Sequence, residues 1–462
     1  MIYMAEILEK TWSLCPVCLR RIPALRIVEE ENIYLEKECE NHGRYKTLVW
    51  RDADYYKTLN RFDTERKGPK VRQTQAKKGC PLDCGLCPNH RQDTCLVVME
   101  VTNRCNLRCR ACFASSSEGY TYEPDINKIR DMYEVTLGGS KPICIQISGG
   151  EPTIRDDLPE IVSLGKRMGI DYIELNTNGL RLARDLEYLR SLKQAGVDAV
   201  YLSFDGLSPD VYRKVCGEDI FELKTQAVEN CAKIGMGVIL VPRIIKYINH
   251  DQVGEIIAFA KKWIPTVKGV HFQPLSYFGR HPGKPDDDDR ITIPDLLSAI
   301  ELQTKGEIRA DNFVPTCCPD VHCDARCLSV LMENGKLFPL TRCPDSGPTI
   351  CADIPKLIRE SVSSLWKLPP QSAGSPPATG AAPCKCQSGS WMEIVQRATE
   401  NYLTISMMAF QDVWNIDLDR LEKCCIHVVT PDRRLIPFCA FNVTSVNGES
   451  LYRHKILSKY SK

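Results

Sequence analysis

Between residues 94 and 280, short apolar runs alternate with amphipathic stretches, and this alternation limits the possible folds more than any other feature. The apolar runs are CLVVMEVT (95–102), ICIQIS (143–148), YIELNT (172–177), AVYLSF (199–204), GVILVPRI (237–244) and GVHFQPL (269–275). Each is short and rich in β-branched residues, as buried strands are. The stretches DLPEIVSLGKRMG (157–169), DLEYLRSLKQAG (185–196) and HDQVGEIIAFAKKW (250–263) carry helical periodicity. Gly169 and Gly196 stand where helix-ending glycines belong. Strands alternating with helices imply parallel pairing through right-handed crossovers. Six such units predict an α/β fold, an incomplete (β/α)6 TIM-like barrel with Cys-rich N-terminal and C-terminal extensions. In such a barrel the chemistry sits at the C-terminal ends of the strands.

Those strand ends are polar. Three residues after the first strand comes Cys105-x3-Cys109-x2-Cys112. Three thiolates can hold three irons of a [4Fe–4S] cube and leave the fourth iron open to a ligand. The spacing also fits a structural zinc loop that borrows a fourth ligand. The second strand runs into Ser148-Gly149-Gly150-Glu151-Pro152. Two glycines let a ligand approach the backbone, and Glu151 offers a carboxylate to an ammonium group. The third strand ends in Asn176-Thr177-Asn178-Gly179 and the fourth in Ser203-Phe204-Asp205-Gly206. Singly these would be turns; together they form a ligand-binding rim.

The chain carries 24 cysteines. Lys+Arg number 60 and Asp+Glu 59, so no global field favours nucleic acid. No run of about 18 apolar residues predicts a membrane span, and the N-terminus lacks a signal-peptide pattern. A cytoplasmic protein is expected, where thiols stay reduced and metal binding explains clustered cysteines better than disulfides do. So many thiolates also suit an anaerobic cell.

Cys80-x3-Cys84-x2-Cys87 with Cys95 offers four thiolates for a closed auxiliary [4Fe–4S] cluster. Cys15-x2-Cys18 and Cys39-x2-His42, separated by a hairpin pattern, have the spacing of a tetrahedral zinc or mononuclear iron site. Further cysteines at 317, 318, 323, 327, 343, 351, 424, 425 and 439 admit a second auxiliary cluster, with Cys323 and Cys343 as candidate ligands. Cys144, Cys216 and Cys231 sit in apolar patterns and read as small core residues. The expected organisation is an N-terminal metal-binding, zinc- or rubredoxin-like region (1–78), an auxiliary iron–sulfur loop (79–93), the barrel core (94–280) and a Cys-rich C-terminal region (281–462). The Pro/Ala/Gly/Ser stretch at 368–383 reads as a linker.

The segments VTNRCNLRCRACFA, SGGEP, LNTNG and LSFDG together resemble the radical S-adenosylmethionine (radical SAM) superfamily. The resemblance implies that the Cys105/Cys109/Cys112 cluster binds and reduces S-adenosylmethionine, releasing a 5′-deoxyadenosyl radical. It implies an electron donor such as ferredoxin or flavodoxin. It assigns Gly149, Gly150 and Glu151 to the methionine ammonium, and Asn178 and Ser203 to its carboxylate and ribose. An aromatic often precedes the third cysteine in that superfamily; here Ala111 does, and Phe113 follows as the candidate adenine contact. Longer segments, SLCPVCLRRIPA, CPLDCGLCPNHRQDTC and CCIHVVTPDRRLIPFCAFN, resemble a branch with three groups. These are radical SAM (seleno)proteins, dihydropterin methylating enzymes and archaeal tetraether synthases. The branch implies methyl or carbon transfer to a small metabolite. Radical carbon–carbon coupling on a lipid, or peptide or cofactor modification, are the alternatives. A non-catalytic iron–sulfur scaffold is the competing class, and it would have no need of the SGGEP rim. Replacing Cys105, Cys109 and Cys112 together by Ala is expected to abolish release of 5′-deoxyadenosine from the dithionite-reduced, reconstituted protein. Unchanged release would move the cluster elsewhere.

Overall fold

A computed structural model describes residues 6–139, 142, 144–281, 283–316, 318–342 and 400–461. The chain begins with an antiparallel sheet of four strands in sequence order: β1 (Glu6–Leu14), β2 (Arg21–Glu29), β3 (Asn32–Cys39) and β4 (Gly43–Arg51). Period-two alternation sets its inner face. In β3, Ile33, Leu35, Lys37 and Cys39 are buried while Tyr34, Glu36 and Glu38 are not. A buried lysine needs partners. Lys37 Nζ donates to Ser13 Oγ at 3.0 Å and to the Val413 carbonyl at 2.8 Å. Arg26 pairs with Asp417 at 2.8 Å, so polar bonds to residues 413–417 dock this sheet on the rest of the molecule.

The second sheet has twelve strands. It contains β5 (Leu96–Glu100), β6 (Cys144–Ser148), β7 (Ile173–Thr177), β8 (Ala199–Ser203), β9 (Gly237–Val241), β10 (Arg243–Ile244) and β11 (Val267–Pro274). Beyond residue 280 it continues with β12 (Asp324–Leu331), β13 (Leu337–Pro339), β14 (Tyr402–Met408), β15 (Ile426–Val429) and β16 (Leu435–Pro437). The order is β13-β12-β14-β11-β9-β8-β7-β6-β5-β15-β16, with β10 paired to β11. The six predicted strands are all present and pair in parallel in chain order. Two more parallel strands flank them: β14 beside β11, and β15 beside β5. The region after residue 280 is therefore part of the same sheet. The stretch 368–383 lies outside the described residues.

Helices Leu158–Arg167, Leu186–Ala195 and Val253–Lys262 occupy the predicted positions. Gly196 (φ 112°) ends the second by donating its N–H to the carbonyls of Leu192 and Lys193. Alternate strand residues, such as Ile145, Ile147, Leu175, Val200, Leu202, Val238, Leu240, Val270 and Phe272, belong to one continuous apolar core. The intervening residues line an interior cavity of about 350 Å³: Gln146 and Ser148 from β6, Glu174 and Asn176 from β7, Tyr201 and Ser203 from β8, His271 and Gln273 from β11. Among the described residues no helix is long and apolar enough to cross a membrane.

At the C-terminal end of β5, Glu100 meets Arg453 in a fully buried fork. Arg453 Nη1 donates to Glu100 Oε2 at 2.7 Å, and Arg453 Nε donates to Asn442 Oδ1 at 3.0 Å. This pair ties the helix Arg453–Leu457 to the first barrel strand. Arg453→Met strands a buried carboxylate and is expected to cost about 3–5 kcal/mol in chemical denaturation. Adding Glu100→Gln is expected to restore part of that loss.

Candidate active site

The loop after β5 carries Cys105, Cys109 and Cys112, all half-buried. Side chains and backbone pin it from several directions. Asn103 Nδ2 donates to the Tyr120 carbonyl at 2.6 Å, and Tyr122 N–H donates to Asn103 Oδ1 at 2.8 Å. Arg280 Nε donates to the Cys109 carbonyl at 2.7 Å. Cys112 and Arg280 exchange backbone hydrogen bonds at 2.8 and 3.1 Å. Arg243 donates to the Ala111 carbonyl and pairs with Asp205 at 3.3 Å. Burial pushes the Cys105 thiol up to about 12, and the charges of Glu151, Cys112 and Cys109 add to the effect. Burial likewise lifts Cys109 to about 11, opposed by Arg243. Burial disfavours the bare thiolate at Cys105 and Cys109, and an iron–sulfur cluster would stabilise it. Cys112 opens onto the cavity.

The two glycines meet the backbone of the cysteine loop. A Cβ on Gly149 would lie 2.1 Å from the Thr102 carbonyl oxygen, and one on Gly150 would lie 2.1 Å from that of Arg104. Gly150 N–H donates to Thr102 O and Glu151 N–H to Arg104 O, both at 2.8 Å. The close approach of the cysteine loop's own backbone therefore requires glycine at both positions. Glu151, 1% exposed, is also engaged. Its Oε1 accepts from Thr153 N at 3.0 Å and from the hydroxyls of Thr153 and Thr177 at 2.6 Å each. Its Oε2 accepts from Asn178 N at 2.6 Å. Glu151 thus joins the ends of β6 and β7. Asn178 continues the chain of contacts, donating from Nδ2 to Asn106 Oδ1 in the cysteine loop at 2.7 Å. Ser203 and Phe113 line the cavity, and Phe113 packs 5.6 Å from Phe438.

The remaining cysteines sort into groups that spacing did not reveal. Cys80 and Cys84 share a side-chain hydrogen bond, and Cys87 lies within electrostatic reach of Cys80. Cys95, expected to complete that set, instead hydrogen-bonds Cys318 and Cys425 at the cavity wall. The strand direction decides this, because Cys95 N–H is already paired with the Cys425 carbonyl at 2.9 Å. Cys323 receives a hydrogen bond from Arg420 Nη2 at 3.2 Å and lies near Cys424 and Cys439. Adjacent Cys424 and Cys425 therefore serve different groups. Cys343 lies outside the described residues. Cys144, Cys216 and Cys231 are buried.

In the N-terminal sheet, the ligand atoms of Cys15, Cys18, Cys39 and His42 all lie within 4.8 Å of one another. Cys18 and Cys39 Sγ are 4.0 Å apart, and His42 Nδ1 is 3.6 Å from Cys15 Sγ and 3.4 Å from Cys39 Sγ. A tetrahedral metal with sulfur and nitrogen ligands has edges of about 3.5–3.8 Å.

The sequence reading missed Arg243, Arg280, Glu174 and His271. The last two signal themselves only as polar residues at alternate strand positions, and they become legible once the face they occupy is known to be the interior.

A family model described as the radical SAM superfamily matches residues 99–260, and one described as the HMPTM N-terminal zinc ribbon domain matches residues 7–51. Barrel, cysteine loop and rim define a radical SAM enzyme. Over 98% of its length the chain is 35% identical to the 7,8-dihydro-6-hydroxymethylpterin dimethyltransferase of Methanocaldococcus jannaschii, covering 96% of that protein. The chain belongs to that protein's family. Over 36% of its length it is also 33% identical to a probable GTP 3′,8-cyclase of Methanothermobacter thermautotrophicus, covering 53% of that relative. A structure of Streptococcus suis SuiB bound to S-adenosylmethionine aligns with 47% of this chain and 48% of its own, at 16% identity and a TM-score of 0.40.

Gly150→Ala is expected to displace the cysteine loop, because the Cβ has only backbone to meet. Reconstituted variant protein should lose most of the absorption of the radical SAM cluster. Full retention would show that the SGGEP contact does not position that loop.

Proposed function

We propose that this enzyme transfers a methyl group or other one-carbon unit to a reduced pterin or a closely similar small heterocycle. One observation carries the reading: the cavity that Cys112 opens onto is apolar at its walls and polar at its floor. Phe113, Phe278, Phe410 and Phe438 form walls; Gln146, Glu174, His271 and Gln273 face inward. A flat heterocycle with hydrogen-bonding edges satisfies both surfaces. An alkyl chain would leave Glu174 Oε1 unpaired, at a cost of about 1–3 kcal/mol. The full-length similarity to a pterin dimethyltransferase supports the same choice.

When bound, S-adenosylmethionine on a [4Fe–4S] cluster held by Cys105, Cys109 and Cys112 supplies a 5′-deoxyadenosyl radical. Arg243 and Arg280 hold the loop carbonyls. The Gly149–Glu151 segment fixes the loop's height over the cavity, while Asn178, Ser203 and Phe113 border the space where the cofactor's polar groups and adenine would sit. In this reading Cys80, Cys84 and Cys87 hold an auxiliary [4Fe–4S] cluster whose fourth ligand is not Cys95. Cys95, Cys318 and Cys425 offer thiols for another, and Cys323 with Cys424 and Cys439 a third group. Cys15, Cys18, Cys39 and His42 hold zinc or a mononuclear iron, since their separations fit a tetrahedral ion. Ferredoxin or flavodoxin would deliver the electron, and the reduced thiols suit the cytoplasm.

Anaerobically reconstituted enzyme, given methyl-labelled S-adenosylmethionine, dithionite and a reduced hydroxymethylpterin, is expected to yield a methylated pterin by mass spectrometry. Formation of 5′-deoxyadenosine with no pterin product, whether methylene-folate or a similar reduced carrier is present or absent, would remove the pterin reading. Iron is expected well above the roughly four per chain of a single cluster. A value near four would remove the auxiliary clusters.

A further inference from the structure

Three carboxylates face the cavity: Asp205, Asp324 and Glu174. Two are already engaged. Asp205 accepts from Arg243 N at 3.0 Å and pairs with its guanidinium. Asp324 accepts from Thr316 N at 3.1 Å and from the Thr316 hydroxyl. Glu174 differs. Its Oε2 accepts from Gln146 Nε2 at 2.8 Å, while its Oε1 is buried with no hydrogen-bond partner. The residue is 1% exposed.

A carboxylate accepts at both oxygens, with about four lone-pair sites in all. Leaving one oxygen buried and unpaired is costly, and such a group in a native fold needs an explanation. Burial pushes Glu174 up to about 7, against the Gln146 hydrogen bond, so the strain falls on the charged form. The setting is also unusual for a core residue. Glu174 is the second of the five residues of β7, a parallel strand, where continuous apolar sequence is the rule. Its cross-strand neighbour Gln146 faces the same way, and Tyr201 stands close enough to feel its charge. The fold therefore holds a carboxyl group with one unpartnered oxygen against a cavity with aromatic walls.

We propose that Glu174 anchors the amidine edge of the substrate heterocycle, its two oxygens accepting in parallel from a ring N–H and the adjacent exocyclic amino group. The inference rests on the cavity being a heterocycle site, as read above. The chemistry selects 2-amino-4-oxopyrimidine rings, the edge shared by pterins and guanine. It also sets orientation. Glu174 lies two residues below Asn176, which is about 7 Å of strand rise. A bicyclic ring anchored at Glu174 points its second ring up toward Cys112 and the loop that holds the cluster. The edge that is bound is thus the one remote from the reacting carbon. Glu174 touches substrate but takes no part in bond making.

The test is calorimetric titration of full-length, anaerobically reconstituted protein with a reduced 6-hydroxymethylpterin and with its 2-oxo analogue, a lumazine, in which the amino donor becomes an acceptor. Wild-type protein is expected to prefer the pterin by about tenfold or more, as charged hydrogen bonds in buried sites do. Glu174→Gln keeps one acceptor and gains one donor, so it should lose about 10–100-fold for the pterin and reverse the preference toward the lumazine. Iron content and thermal melting matched to wild type confirm the variant's fold, and the wild-type comparison of the two ligands needs no variant. Equal affinity of wild type for both ligands, or unchanged pterin affinity in Glu174→Gln, overturns the anchor; if the enzyme still methylates a pterin, the functional reading survives. Binding of guanine but not pterin, lost in Glu174→Gln, upholds the anchor and removes the pterin reading. Wild-type protein that binds no ligand bearing this edge overturns the anchor outright.

Discussion

The backbone contact between Thr102–Arg104 and Gly149–Glu151 is the constraint on which the site depends. Strands β5 and β6 pair in register up to Glu100 and Ser148, and the hydrogen bonds continue past both strand ends into the loops. The cysteine loop is thereby an extension of the sheet rather than a free excursion. Glu151 spreads the constraint to β7 through Thr177 and Asn178, and Asn178 returns it to the loop at Asn106. A closed circuit of short bonds fixes the backbone that carries Cys105, Cys109 and Cys112.

The second organising fact is the alternation along each barrel strand. Outward residues bury against helices, and inward residues face a cavity. In most parallel sheets both faces are apolar. Here β6, β7, β8 and β11 each place polar side chains inside, where His271 pairs with Ser406 and Gln146 satisfies one oxygen of Glu174. Burial lowers His271 to about 4, so it stays neutral. The interior is thus polar but carries few permanent charges, a setting in which directional hydrogen bonds discriminate between ligands more than net charge does.

The ends of the chain complete the barrel core. Strands β14 and β15 flank the six central strands, and Arg453 closes on Glu100 beneath the cysteine loop. The N-terminal sheet is tied to the same C-terminal segment through Lys37, Arg26 and Thr11. Regions that look like separate Cys-rich appendages in sequence are in this way bound to the catalytic core, which accounts for a family likeness that runs along almost the whole chain.

The sequence alone determined the strand–helix alternation, the six central strands, the cysteine loop after the first of them and the rim at their ends. These are local patterns: hydrophobic period, turn residues and ligand spacing report on segments of a few residues. Local spacing also found the Cys15/Cys18/Cys39/His42 quartet, because a hairpin brings those ligands together. Partnerships across hundreds of residues were decided only by the tertiary structure. Cys95 joined Cys318 and Cys425 because parallel pairing of β5 with β15 sets them side by side. The glycines of SGGEP met the backbone of the cysteine loop because the two loops share one register. Glu174 became conspicuous only when the fold turned it toward the cavity, which the strand pattern of YIELNT does not specify.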